Sequence, residues 1–190
     1  TKGYNMGGYA APNTTVIEDL TFSSDISVAI SATLDTAKAN GAGINSSTKG
    51  YHMGGFTSVN IAVIEDLAFS NEASVAITAT LDTAKSNGAG VNSSTKGYCM
   101  GGTTGSNTAV IEDLTFSNET SVAISATLDT AKKLGTGVNS TTKGYCMGGD
   151  TGSKTAVIED FNFSNETSVA ISATLDTAKS DGAGVQYGSV

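Results

Sequence analysis

The sequence predicts an all-β fold built from four copies of one unit, each unit holding four short antiparallel strands. Three observations carry this prediction. The octet TKGYNMGG at Thr1 returns as TKGYHMGG at Thr48 and as TKGYCMGG at Thr95 and Thr142, a spacing of 47 residues each time. Between the octets, small or polar residues alternate with Val, Ile and Leu at a period of two, the period of a half-buried strand. Glycine doublets and Ser/Thr/Asn clusters punctuate these runs as turns do. A period of roughly 40–50 residues with four strands per period marks the blade of a β-propeller. Ankyrin and tetratricopeptide units are shorter and helical, and a parallel β-helix coil is about half as long. A trimeric fibre of repeated sheets is the competing architecture. The chain reads as one domain, 1–190, divided into repeats 1–47, 48–94, 95–141 and 142–190.

The third repeat shows the elements most clearly. Lys96–Met100 (KGYCM) is a short strand that stops at Gly101-Gly102. Residues 108–116 (TAVIEDLTF) are rich in β-branched side chains and form the next strand. Ser117-Asn118-Glu119-Thr120 is a polar turn, and residues 121–127 (SVAISAT) alternate as a third strand. The stretch LDTAKKLG has some helical propensity but is too short to stand as a helix. Residues 135–140 (GTGVNS) form the fourth strand and turn into the next repeat. Four such units predict sixteen strands and almost no helix.

Composition narrows the function. Ten lysines, no arginine and eighteen acids give a net charge of −8. A nucleic-acid surface needs clustered Lys and Arg facing phosphate, so nucleic acid is not expected as a partner. No apolar run approaches the roughly 20 residues that span a bilayer, and membrane insertion is not expected. Two cysteines do not make a disulfide scaffold. Sixteen of the acids fall in four repeated sets that begin at Glu18, Asp19, Asp25 and Asp35, so the charge pattern is part of the repeat.

The motif Gly-Tyr-x-Met-Gly-Gly in every unit, the small-residue strand before it (88–94 in one case) and the short polar hairpin after the third strand together resemble a kelch-type β-propeller. The resemblance covers the whole chain. It implies a strand order within each blade of A (GAGVNSS), B (KGYCMGG), C (TAVIEDLTF) and D (SVAISAT), with A innermost. The sequence departs from the kelch pattern in three ways. It has no tryptophan, it places Lys38, Lys85, Lys132 and Lys179 where arginine is common, and it has four units where six or seven are usual. The chain starts on a strand B and finishes on 182–190 (GAGVQYGSV), a strand A with no B after it. Pairing of that strand with the N-terminal strand would close a four-bladed ring and remove two sheet edges. The alternatives are an eight-bladed ring made by two chains through the same pairing, and an excerpt from a longer array.

Several constellations invite a chemical reading. The variable strand-B position holds Asn5, His52, Cys99 and Cys146, residue types that bind zinc or copper. Strand B is second from the axis, so these atoms should lie too far apart for one ion, and they are expected to pack between blades as free thiols and a buried imidazole. The pairs Glu18-Asp19, Glu65-Asp66, Glu112-Asp113 and Glu159-Asp160 resemble catalytic carboxylates, but adjacent strand residues point to opposite faces. One of each pair is expected to meet a lysine and the other a backbone donor or solvent. Asp35, Asp82, Asp129 and Asp176 are expected to cap turns, and Tyr4, Tyr51, Tyr98 and Tyr145 to fill the space between blades. The Asn-x-Ser/Thr triplets at Asn45, Asn92, Asn118, Asn139 and Asn165 do not discriminate between functions. No catalytic residues, metal ligands or cofactor are expected.

Comparison of the units shows where sequence varies. The B–C connection changes most: YAAPN at 9–13, FTSVN at 56–60, TTGSN at 103–107 and DTGSK at 150–154. The D–A connection changes next, as in Lys133-Leu134. In a four-stranded antiparallel blade these two connections emerge on one face. The expected partner-binding residues are Tyr9, Asn13, Phe56, Asn60, Thr103, Asn107, Lys133, Leu134, Asp150 and Lys154, with Tyr9, Phe56 and Leu134 as apolar anchors. The function expected is a non-enzymatic repeat scaffold for a protein or glycan, or a structural subunit of an extracellular or virion assembly. A homo-oligomer is included among the partners. The alternative is an enzyme or metal-binding propeller working through the axial channel.

Overall fold

The computed structural model describes residues 1–186, and among them there are fifteen strands and no helix. The first sheet has three strands, β1 (Lys2–Tyr9), β2 (Asn13–Thr21) and β3 (Ile26–Thr33). The second has four: β4 (Ala42–Asn45), β5 (Lys49–Met53), β6 (Val63–Ala68) and β7 (Ala73–Thr80). The third holds β8 (Ala89–Asn92), β9 (Lys96–Met100), β10 (Val110–Thr115) and β11 (Thr120–Thr127). The fourth holds β12 (Thr136–Asn139), β13 (Lys143–Met147), β14 (Val157–Asn162) and β15 (Thr167–Thr174). Every pairing is antiparallel and between strands consecutive in sequence, so each four-stranded sheet runs A-B-C-D.

Strands C and A of the third unit are shorter at both ends than the sequence suggests, spanning Val110–Thr115 and Thr136–Asn139. Strand C begins at Val110, not Thr108, because Thr108 and Ala109 turn their backbones to other partners: Thr108 N–H donates to Gly102 O and Ala109 O accepts from Leu128 N–H. Strand A ends at Asn139, because the Ser140 N–H turns back to donate to Lys143 O. The glycine doublet that ends strand B is required by geometry. Gly54 and Gly55 have φ of 64° and 118°, and a Cβ on Gly54 would stand 2.5 Å from Lys85 O. An L-residue is strained at such φ even where space exists.

The core lies between consecutive sheets. Tyr51, Met53, Ile64 and Leu81 of one unit cluster with Cys99 and Leu114 of the next. Tyr98, Met100, Ile111 and Leu128 do the same with Cys146 and Phe161. Burying such side chains stabilises by about 1.5–3 kcal/mol each. Tyrosine from strand B stacks on a phenylalanine one unit later: Tyr4 on Phe69, Tyr51 on Phe116 and Tyr98 on Phe163, with centroids 5.5–5.6 Å apart.

The expected closure through the chain ends is not formed among the described residues. β1 is the outermost strand of its sheet and has no strand A beside it. Residues 182–186 adopt no strand, and the rest of the 182–190 reading lies outside the described residues. The segment is held instead against β12: Thr136 Oγ1 donates to Gly182 O at 2.8 Å and Asn139 N–H to Gln186 Oε1 at 3.1 Å.

Candidate functional site

The variable residues lie along one edge of the array, where each D–A connection meets the B–C loop of the following unit. Ala39 and Phe56 exchange backbone hydrogen bonds of 3.1 and 2.8 Å, as do Ser86 with Thr103 and Lys133 with Asp150. The loops of successive units are tied in turn. Asn13 Nδ2 donates to Phe56 O at 2.7 Å, Asn60 Nδ2 to Thr103 O at 3.0 Å and Asn107 Nδ2 to Asp150 O at 2.8 Å. A third row connects Asn87 N–H to Asn40 O, Leu134 N–H to Asn87 O and Asp181 N–H to Leu134 O, at 2.7–3.0 Å. The edge is therefore a hydrogen-bonded rail, and the side chains on it stand on fixed backbone.

The ten residues named from sequence are all on this edge, in two different roles. Tyr9 is 78% exposed and Phe56 40%, with Val59 beside them at 62%. Lys154 is exposed as well. Asn13, Asn60 and Asn107 spend their amides on the next unit's backbone, so they build the edge and are half-buried. Thr103, Lys133 and Asp150 are half-buried members of the backbone bridges. Leu134 is half-buried at φ 58°, a left-handed position that Asn40, Asn87 and Asp181 hold in the other units. Asn and Asp tolerate that region, so the D–A variation is partly conformational. Val59 escaped the sequence reading because it occurs in only one loop tip. The edge changes character along its length, from Tyr9, Phe56 and Val59 at one end to Lys133, Asp150 and Lys154 at the other.

The candidate metal position is a packing position. The His52 ring lies over Gly41, where a Cβ would come within 2.1 Å of Cε1. Cys99 Sγ and Cys146 Sγ fill the same place over Gly88 and Gly135, each 2.6 Å from the position of a Cβ. Burial, with the Lys38 charge nearby, pushes the His52 imidazole down to about 4. Burial pushes the Cys146 thiol up to about 11 and raises Cys99 too. Both cysteines are free, and no group of three or more His, Cys, Asp or Glu side chains with metal-holding geometry occurs among the described residues.

The carboxylate pairs join units, and three of the four differ from expectation because both acids meet lysines, whereas in the first pair Asp19 takes Lys2 at 2.5 Å and Glu18 is exposed to solvent as expected. Glu65 is fully buried and receives Lys38 of the preceding unit at 3.3 Å, with Asp35 N–H donating at 2.6 Å and Thr36 N–H at 3.3 Å. Glu112 receives Lys85 at 3.3 Å and Asp82 N–H at 2.6 Å, and Glu159 receives Lys132 at 3.0 Å and Asp129 N–H at 2.5 Å. Lys38 also donates to His52 O and Val63 O, and burial lowers its pKa despite Glu65. Asp66, on the other strand face, takes Lys49 of its own unit at 2.5 Å. That same lysine reaches Glu119 of the next unit at 2.6 Å, and Tyr51 OH donates to Glu119 at 3.2 Å. Asp35 does not cap its own turn. Its Oδ2 accepts Ala76 N–H of the following unit at 2.9 Å, and Asp82 and Asp129 repeat this at Ala123 and Ala170. The LDTAK segment is thus a plug that enters the next unit. Comparison with known protein families and with curated proteins finds no match for this chain.

Proposed function

We propose that the chain is a non-enzymatic, kelch-like repeat scaffold of propeller type that binds a protein or glycan along the edge formed by its B–C and D–A loops. One observation carries this reading. Tyr9, Phe56 and Val59 stand exposed on an edge whose backbone is locked by hydrogen bonds between units. Rigid aromatic anchors lose little conformational entropy on binding, and the tied loops need no reorganisation. The repeated ionisable groups support the same reading, because the buried carboxylates and lysines are consumed by contacts between units.

The test is a glycan array and a pull-down with the whole chain, followed by substitution. Tyr9→Ala and Phe56→Ala should weaken binding by tenfold or more, since a buried aromatic anchor typically contributes about 2 kcal/mol. Ser117→Ala, on the exposed turn of the opposite edge, should leave affinity unchanged. Loss of binding with Ser117→Ala and retention with the two aromatic variants would overturn the proposal.

A further inference from the structure

The two end faces of the array are complementary halves of the junction that occurs three times inside it. Lys38, Lys85 and Lys132 are fully buried against Glu65, Glu112 and Glu159. Their fourth counterparts, Lys179 and Glu18, stand 47 residues from the nearest set member and are both exposed. Phe22 occupies the phase of Phe69 and is 56% exposed, while Leu20 occupies that of the fully buried Leu67 and is 40% exposed. Val185 occupies the phase of Val91, which is 1% exposed, yet is itself 91% exposed.

The backbone tells the same story. Among the described residues β1 has a free edge, and beside it runs a groove of about 580 Å³ lined by β1 and by Gly41, Gly43 and Ile44. In the next sheets this position relative to strand B holds a strand A that packs on the following strand A through glycine. A Cβ on Gly90 would stand 2.3 Å from Gly43 O, and one on Gly137 would stand 2.1 Å from Gly90 O. A Cβ on Gly43 meets nothing within 4 Å, so the seat in front of it is open. The segment Ala183-Gly184-Val185-Gln186 matches Ala89-Gly90-Val91-Asn92 in sequence and already packs on β12, with no strand B beside it among the described residues.

We infer that the groove beside β1 takes residues 182–186 of a second copy of this chain, with the partner's Lys179 entering at Glu18. Strand addition satisfies the free edge of β1 and covers Val185. The ion pair gives the register, since a lysine displaced from Glu18 leaves a charge uncompensated. The contact is heterologous, so it closes into a ring or continues as a filament. This inference is independent of the loop-edge reading, because it uses the end faces alone.

Size-exclusion chromatography with light scattering tests it, from low to high micromolar chain. The wild-type chain should shift from one copy to two or more as concentration rises. Gly43→Ala should spoil only the groove and Lys179→Ala only the inserting end. Each should stay a monomer with an unchanged circular dichroism spectrum and a melting curve no lower than that of dilute wild type. Mixed in equal amounts, they should form a one-to-one dimer, because each retains the end the other lacks. A wild-type chain that remains a single copy at every concentration overturns the inference. So does association of Gly43→Ala equal to wild type, or a mixture of the two variants that stays monomeric.

Discussion

The ammonium of Lys38 lies 3.3 Å from Oε1 of Glu65, and neither side chain has any accessible surface. The two residues belong to different units. The lysine leaves the D–A turn of one unit and ends beneath strand C of the next, where the same carboxylate also accepts two backbone N–H groups of the LDTAK turn. Such a pair adds little over an apolar contact of equal volume, because desolvation offsets the attraction. Its effect is on register. A unit that docks out of phase strands both charges.

The imidazole of His52 gives the chain a pH dependence. Burial and the neighbouring Lys38 hold it at about 4, below the ordinary imidazole value of about 6.5. A depressed folded value means that protonation favours unfolding. The stability from neutral His52 is complete above about pH 6.5 and is lost as pH falls toward 4. At about 1.4 kcal/mol per pKa unit the loss is about 2–3 kcal/mol. His52→Cys, the residue of the third and fourth units, should lack this slope. Urea midpoints for both proteins at about pH 7.5 and about pH 4 measure it. Equal losses in the two proteins contradict the assignment.

The thiols of Cys99 and Cys146 are buried, free and shifted toward the protonated form by burial. A thiolate is the reactive species, so both should be inert to a thiol reagent in the folded chain. Two equivalents should react at once in denaturant without prior reduction. Rapid labelling of the native protein contradicts the packing described here.

Gly43 and Gly90 occupy the same phase of strand A and should respond oppositely to alanine. At Gly90 the new methyl would stand 2.3 Å from Gly43 O, backbone against backbone, and the strands must separate. Overpacking of this kind costs about 1–3 kcal/mol. At Gly43 nothing lies within 4 Å. Gly43→Ala should therefore leave the monomer as stable as wild type or about 0.4–1 kcal/mol more stable, through the unfolded state. Chemical denaturation of dilute protein separates the two cases.

Much of this was legible in the sequence, and what was not has a physical cause. The 47-residue period and the alternation in SVAISAT point to the repeated sheets, because a period-two pattern directly encodes which face is buried, while the A-B-C-D order rests on the resemblance to kelch units. The packing roles of Tyr51, Cys99 and Cys146 followed from the same alternation. The partners of Glu65 and Glu119 did not. Both contacts cross from one unit to the next, and a periodic sequence is silent on whether a charge pairs within its own copy or with the neighbour. Asp35 misled for the same reason, since its turn looks self-contained while its carboxylate serves Ala76. Closure of the chain on itself rests on matching ends, and among the described residues β1 stays the outermost strand of its sheet.

The repetition supplies its own control for the central claim that the buried lysines lock the units into one scaffold. Lys85 and Lys179 sit in the same LDTAK context, one fully buried at Glu112 and the other exposed. Equilibrium unfolding in urea of dilute Lys85→Ala and Lys179→Ala compares them directly. Lys85→Ala leaves Glu112 buried without its partner and should cost about 3–5 kcal/mol. It should also broaden or split the transition, because it weakens the middle junction of a one-dimensional array. Lys179→Ala should unfold as wild type does. Equal, small effects of the two substitutions would contradict the claim.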